Sequence, residues 1–205
     1  MRQTTAWRGR RTPWRRTLVA FALAGLVGPA SAHSQAAEGE LPEGKQTTLG
    51  LYVTAKEAYE LWKASPDEVK ILDVRTPEEY IFVGHAPMAV NIPAFLQSYE
   101  WDEDKHHYAM TPNPDFMAQV KATFALDDVI YVTCRSGGRS AASVNKLAAA
   151  GFKNVYNITD GMEGDKVAEP GSLYHGQRMK NGWKNSGVPW TYSLDPELMR
   201  LPGSR

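Results

Sequence analysis

A chain of 205 residues, 42% of them apolar, is long enough to bury one sizeable core, and its 23 basic residues balance its 23 acidic ones. Six arginines and no acid fall within residues 1–32, so the remainder holds 17 basic against 23 acidic groups, about −6. That balance argues against nucleic acid as a partner, and a single cysteine excludes an internal disulfide.

Arg2, Arg8, Arg10, Arg11, Arg15 and Arg16 precede a short apolar run, Leu18–Val27, and Ala30-Ser31-Ala32 offers small residues for cleavage. The pattern predicts a secretory signal peptide over 1–32, with an apolar run too short to span a bilayer comfortably. The expectation is a periplasmic or secreted protein with no membrane contact after cleavage. An uncleaved anchor is the alternative, and Arg15-Arg16 leaves a twin-arginine export route open. Residues 33–48 are polar, include Gly39, Pro42 and Gly44, and predict a flexible lead-in.

Leu49–Val53 predicts a short strand. Thr54-Ala-Lys-Glu57 has the spacing of a capping box, opening a helix whose apolar face carries Ala58, Leu61 and Trp62. Lys70–Arg75 predicts the next strand, and Thr76-Pro77-Glu78-Glu79 a second cap with proline at the first helical position. Gly84–Pro87 turns the chain into a short strand over Ala89–Ile92. Phe95–Pro114 reads as an irregular, aromatic and charged loop, and loops of that length often carry function. Pro114-Asp115 opens a helix bearing Phe116, Val120, Phe124 and Leu126.

Val129–Thr133 has the length and β-branched content of a buried parallel strand. Cys134 follows at its end, with Gly137 and Gly138 in a tight loop. Ser140–Ala150 then predicts a helix with Val144, Leu147 and Ala148 at helical spacing and Gly151 as its stop. Glycines let such a loop curl its N–H groups inward as a nest for an anion, and the helix dipole adds to that field. A cysteine in that cradle ionises more readily, and the thiolate is the nucleophile. An inert, packed cysteine would need neither the two glycines nor the flanking Arg135 and Arg139. Asn154–Ile158 predicts a last strand, turned at Asp160-Gly161. Strands alternating with helices predict an α/β fold with a mostly parallel central sheet flanked by helices, its ligand site at the strands' carboxyl ends.

Two groups of residues resemble the rhodanese-like family. Asp73-Val-Arg75, Glu79-Tyr80, Gly84-His85 and Asn91-Ile-Pro93 are similar to its upstream signature, and Val132–Ser140 with Leu147 and Gly151-Phe152 to its active-site loop and helix. Asp160-Gly161 and Gly182–Pro189 resemble its closing segment. The resemblance implies a three-layer rhodanese-like domain over 49–194, with 195–205 as a tail. It implies a sulfurtransferase in which Cys134 takes sulfur from a thiosulfate-like anion, holds it as a persulfide and passes it to cyanide or a thiol. By the same resemblance Arg135, Ser136, Gly137, Gly138, Arg139 and Ser140 bind the substrate, the loop's N–H groups face the sulfur, and Arg139, with Arg135 as a second candidate, holds the donor's oxygens. An exported protein is a further candidate acceptor. No cofactor is implied. Cysteine phosphatases with a related loop place five residues between cysteine and arginine; here four separate Cys134 from Arg139, which argues against phosphatase activity.

Asp73, Arg75 and Glu79 read as a buried structural ion pair in preference to substrate ligands. His85 reads as packed in its turn, and His106-His107 as solvated, with no metal site expected. Glu163, Asp165 and Glu169 read as a solvated acidic loop. The segment Met162–Asn181 is an insertion, like Phe95–Pro114, that shapes a donor pocket, docks a protein or decorates the surface. A non-enzymatic sulfur carrier or partner-binding module is the alternative function. Redox thiol catalysis suffers from the lack of a resolving cysteine.

Overall fold

The computed structural model describes residues 41–201 and 203; the signal-peptide reading and most of the lead-in lie outside them. In chain order the elements are β1 (Tyr52–Val53), α1 (Ala55–Ala64), β2 (Val69–Asp73), β3 (Val90–Asn91), β4 (Phe95–Asp102), β5 (His107–Pro112), α2 (Phe116–Thr123), β6 (Val129–Thr133), α3 (Gly138–Ala149), β7 (Val155–Ile158), β8 (Asp165–Lys166), β9 (Arg178–Lys180) and α4 (Gly182–Asn185). Five strands form one parallel sheet in the order β1-β7-β6-β2-β3, with β6 at its centre.

Period-two alternation on two buried faces makes the layers. Leu72, Ile130, Val132 and Val155 face a cluster closed by Phe116 and Val120 of α2 and by Val144 and Leu147 of α3. Val53, Val69, Ile71 and Tyr131 face the other way, onto Ala55 and Ala58 of α1 and the fully buried Trp183 of α4. The chain leaves β2 toward β3 and leaves β6, through α3, toward β7 on the opposite side. The carboxyl ends of β2 and β6 therefore meet where successive connections diverge, the place where open parallel sheets bind ligands.

Local chemistry explains the helix limits. Thr54 and Glu57 form the expected reciprocal capping box. Thr76 and Glu79 repeat that exchange ahead of a single π-helical turn, Glu79–Val83, where a regular helix was the expectation. At the end of α3, Gly151 N–H bonds Ala148 O and Phe152 N–H bonds Leu147 O, a Schellman stop. Helix α2 ends earlier than its apolar pattern suggests, at Thr123, and Leu126 is half exposed in the turn beyond it.

Two expectations are corrected. Phe95–Pro114 is not irregular: β4 and β5 form an antiparallel hairpin outside the main sheet, with Trp101 and Tyr108 packed edge to face at 5.4 Å. Residues 43–48 are not a free lead-in. They dock on α3 and β7 through Asn157 Nδ2 to Lys45 O (2.9 Å) and Thr48 N to Asn145 Oδ1 (2.8 Å). The segment after 195 is tied in as well, with Arg200 N–H donating to Asn91 O at 2.9 Å.

Candidate active site

Cys134 continues the phase of Ile130 and Val132, so its side chain falls on the α2/α3 face of the sheet and is 1% exposed. The chain then turns through Arg135, Ser136 and Gly137 and enters α3 at Gly138. Gly137 N–H donates to Cys134 Sγ at 3.2 Å. Ser140, in the first turn of α3, lies 3.4 Å from Sγ through its Oγ, and closer to Asn157 Oδ1 (2.6 Å) and Gly137 O (3.0 Å). One hydroxyl proton serves three acceptors. It rests on Asn157 and can turn to the sulfur when charge builds there. Asn157 is itself fixed, its Nδ2 donating to Lys45 O and to Gly137 O.

The loop's underside is held by the segment after β7. Met162 N–H donates to Cys134 O (2.7 Å) and Glu163 N–H to Arg135 O (2.9 Å). That pairing demands close approach at Gly161, whose φ is +65°; a Cβ there would stand 2.6 Å from Ser136 N and 2.7 Å from Cys134 O. Asp160 beside it accepts from Ala55 N–H (2.7 Å) and Gly182 N–H (2.8 Å), tying α1 and α4 to the same corner. Burial pushes its carboxyl above the ordinary value, although both N–H bonds pull the other way.

Cys134 opens onto a pocket of about 310 Å³ lined also by Met110, Arg135, Ser136, Gly138, Arg139 and Arg178. A shallow groove of about 700 Å³ along the β4–β5 hairpin shares Met110 and Arg135 with it and runs past Tyr99 and Tyr108. The six residues anticipated around Cys134 thus all line this pocket or contact Sγ directly. Of the loop's N–H groups only that of Gly137 is hydrogen bonded to Sγ among the described residues, so the expected ring of donors is narrower.

Arg139 lines the pocket but is not a free clamp: both ends bond Glu79, Nη1 to Oε2 at 2.7 Å and Nη2 to Oε1 at 2.6 Å, so its charge is already matched and only its remaining N–H groups are left for a donor oxygen. Asp73 and Arg75 do form the expected buried pair, Nη2 to Oδ2 at 2.7 Å, with Gly84 O as a further acceptor. Glu79 belongs to Arg139 instead. His85 packs in its turn, stacked on Tyr80 at 3.7 Å, and lies outside the pocket lining. Asp165, in the loop read as solvated, is about half exposed and pairs with Lys45 and Asn181. Sequence reasoning missed Asn157, Met110 and the placement of Arg178, which lies 44 positions beyond the cysteine with no motif to link them.

Burial alone would raise the Glu79 carboxyl, but the hydrogen bonds and charge of Arg139 outweigh it and hold the group below its ordinary 4.5. A depressed carboxylate stabilises the fold fully above its unfolded value and loses that contribution as pH falls through the lower folded value. Both side chains are only about one-fifth exposed. Glu79→Gln is therefore expected to lower stability by about 2 kcal/mol at pH 7, below the roughly 3–5 kcal/mol of a fully buried pair. Urea midpoints would show that gap narrowing toward pH 3; an equal gap at both pH values would contradict the ion-pair account.

Comparison with known proteins agrees with this geometry. Residues 54–168 match the rhodanese-like domain family. Over 92 residues the chain is 41% identical to thiosulfate sulfurtransferase 16, chloroplastic, of Arabidopsis thaliana, covering 45% of this chain and 69% of that protein. It is 37% identical to the senescence-associated protein DIN1 of Raphanus sativus, spanning under half of that protein's length (45%) and 45% of its own. Among solved structures, Rv0390 from M. tuberculosis superposes with a TM-score of 0.54 at 27% identity, covering 69% of this chain and 96% of that one.

Proposed function

This chain belongs to the rhodanese-like family, and from that premise we propose that it is a sulfurtransferase acting on a thiosulfate-like donor through a persulfide on Cys134. One observation carries the reading: the single cysteine stands at the carboxyl end of the central strand, under Gly137 N–H and Ser140 Oγ, and opens onto an arginine-lined pocket. The Cys134 thiolate attacks the outer sulfur of the donor. A new S–S bond forms, the donor's S–S bond breaks, and sulfite leaves with the electron pair. The terminal persulfide sulfur is then attacked by cyanide or a thiolate, and the Cys134 thiolate returns as leaving group. Gly137 N–H and the Ser140 hydroxyl face the anionic sulfur at both stages. The arginine-rich, then apolar, composition of residues 1–32 supports action after export, in the periplasm or outside the cell.

The groove beside the pocket favours a second reading. Exposed Tyr99, Trp101 and Tyr108 on the hairpin suit a carrier that loads sulfur and discharges it only to a docked protein. Steady-state sulfite release from thiosulfate, with cyanide and with small thiols as acceptors, separates the two. An enzyme turns over many times with a small acceptor. Loading once without turnover would sink the enzyme in favour of the carrier.

A further inference from the structure

The hairpin β8–β9 brings a cation to the pocket that the catalytic loop does not supply. Three cations near the site are each matched by a carboxylate: Arg139 by Glu79, Lys45 by Asp165, Lys180 by Glu169. Arg178 and Arg135 are not. Among the described residues neither guanidinium is hydrogen bonded to a carboxylate. Arg178 spends Nη1 on Gly164 O at 2.5 Å, and its Nε is buried without a partner. Burial first, and then the charge of Arg135, depress the Arg178 guanidinium, although Glu163 and Asp165 act against them. Two like charges are thus held at one pocket beside Cys134, an arrangement that is relieved when an anion enters.

The hairpin is bolted in place rather than draped. Asn181 bonds Asp165 through both its amide atoms at 2.9 Å, Asp165 pairs with Lys45, and Glu163 N–H holds the loop at Arg135 O. The position of Arg178 relative to Cys134 is therefore set by the fold. Since the charge of Arg139 is already matched by Glu79, a guanidinium with no carboxylate is the better partner for the donor's negative end, and its planar donors suit an oxyanion.

We infer that Arg178, acting with Arg135, forms an oxyanion subsite that selects sulfur donors carrying a negative group beyond the transferred sulfur. The donor part of this inference rests on the sulfur-transfer reading above; the anion subsite itself does not. Two reactions at Cys134 test them separately: sulfur loading from thiosulfate, and alkylation by anionic iodoacetate against neutral iodoacetamide, in which the thiolate displaces iodide. In R178Q, thiosulfate loading and the iodoacetate-to-iodoacetamide rate ratio are each expected to fall about tenfold or more, the size of one lost charge-assisted contact. R178K, which keeps the charge but not the fork, should recover part of both. An unchanged alkylation ratio, or a parallel fall with both reagents, would overturn the inference, because Arg178 would then act on the thiol or the loop. A wild-type protein that prefers iodoacetate in an Arg178-dependent way yet takes no sulfur from thiosulfate would keep the subsite and sink the donor reading alone.

Discussion

Cys134→Ser is expected to leave a folded protein that transfers no sulfur. The exchange removes one buried sulfur from a site already furnished with Gly137 N–H and Ser140 Oγ, both able to bond a hydroxyl, so the stability change should stay within about 1.5 kcal/mol. The chemistry has no substitute. A serine hydroxyl beside no general base is not ionised near neutral pH and forms no persulfide, and losses for deleted nucleophiles run to about 10⁴-fold or more. Turnover with thiosulfate and cyanide, set beside a urea midpoint, measures both halves. Residual activity above about one part in a hundred, with an intact fold, would place the nucleophile elsewhere.

Gly137→Ala should be the most damaging change that leaves the reacting atoms in place. Gly137 has φ +100°, outside the range that L side chains adopt comfortably, and an added Cβ would stand 2.2 Å from Thr159 O and 2.9 Å from Thr159 C. Both are backbone atoms of the segment that follows β7, so relief requires the loop itself to move. The left-handed geometry costs about 1–2 kcal/mol before any clash. A displacement near 1 Å at a reacting centre lowers rate by roughly 10²-fold, and Gly137 N–H is the loop's amide bonded to Sγ. The neighbour is the control for stability: a Cβ at Gly138 would meet only Gly44 O at an ordinary 3.6 Å, so Gly138→Ala should unfold within about 0.5 kcal/mol of wild type. Equal destabilisation by the two substitutions would contradict this account of the loop.

How much could be read in advance follows from which forces leave local marks. The strand before Cys134, the box at Thr54–Glu57 and the Gly151 stop depend on residues within a few positions of one another, and the structure shows each of them. The β4–β5 hairpin left no such mark. It lies outside the main sheet with no fully buried face to impose alternation, so Tyr99, Trp101 and Tyr108 stay largely exposed and read as loop residues. The site's polar pairings span the chain: Glu79 to Arg139 across 60 positions, Lys45 to Asp165 across 120. Arg139 accordingly looked like a free clamp, and residues 43–48 like a free linker, because what occupies them is far away in sequence. Arg178 is the sharpest case, an arginine in an insertion whose meaning comes only from the pocket it lines.

Whether Cys134 carries sulfur is decided by intact-protein mass spectrometry after brief exposure to thiosulfate, with Cys134→Ser alongside. A gain of one sulfur atom is expected, removed by cyanide and absent from the variant. A folded protein whose thiol stays free, or a gain that persists in Cys134→Ser, would contradict sulfur transfer through Cys134.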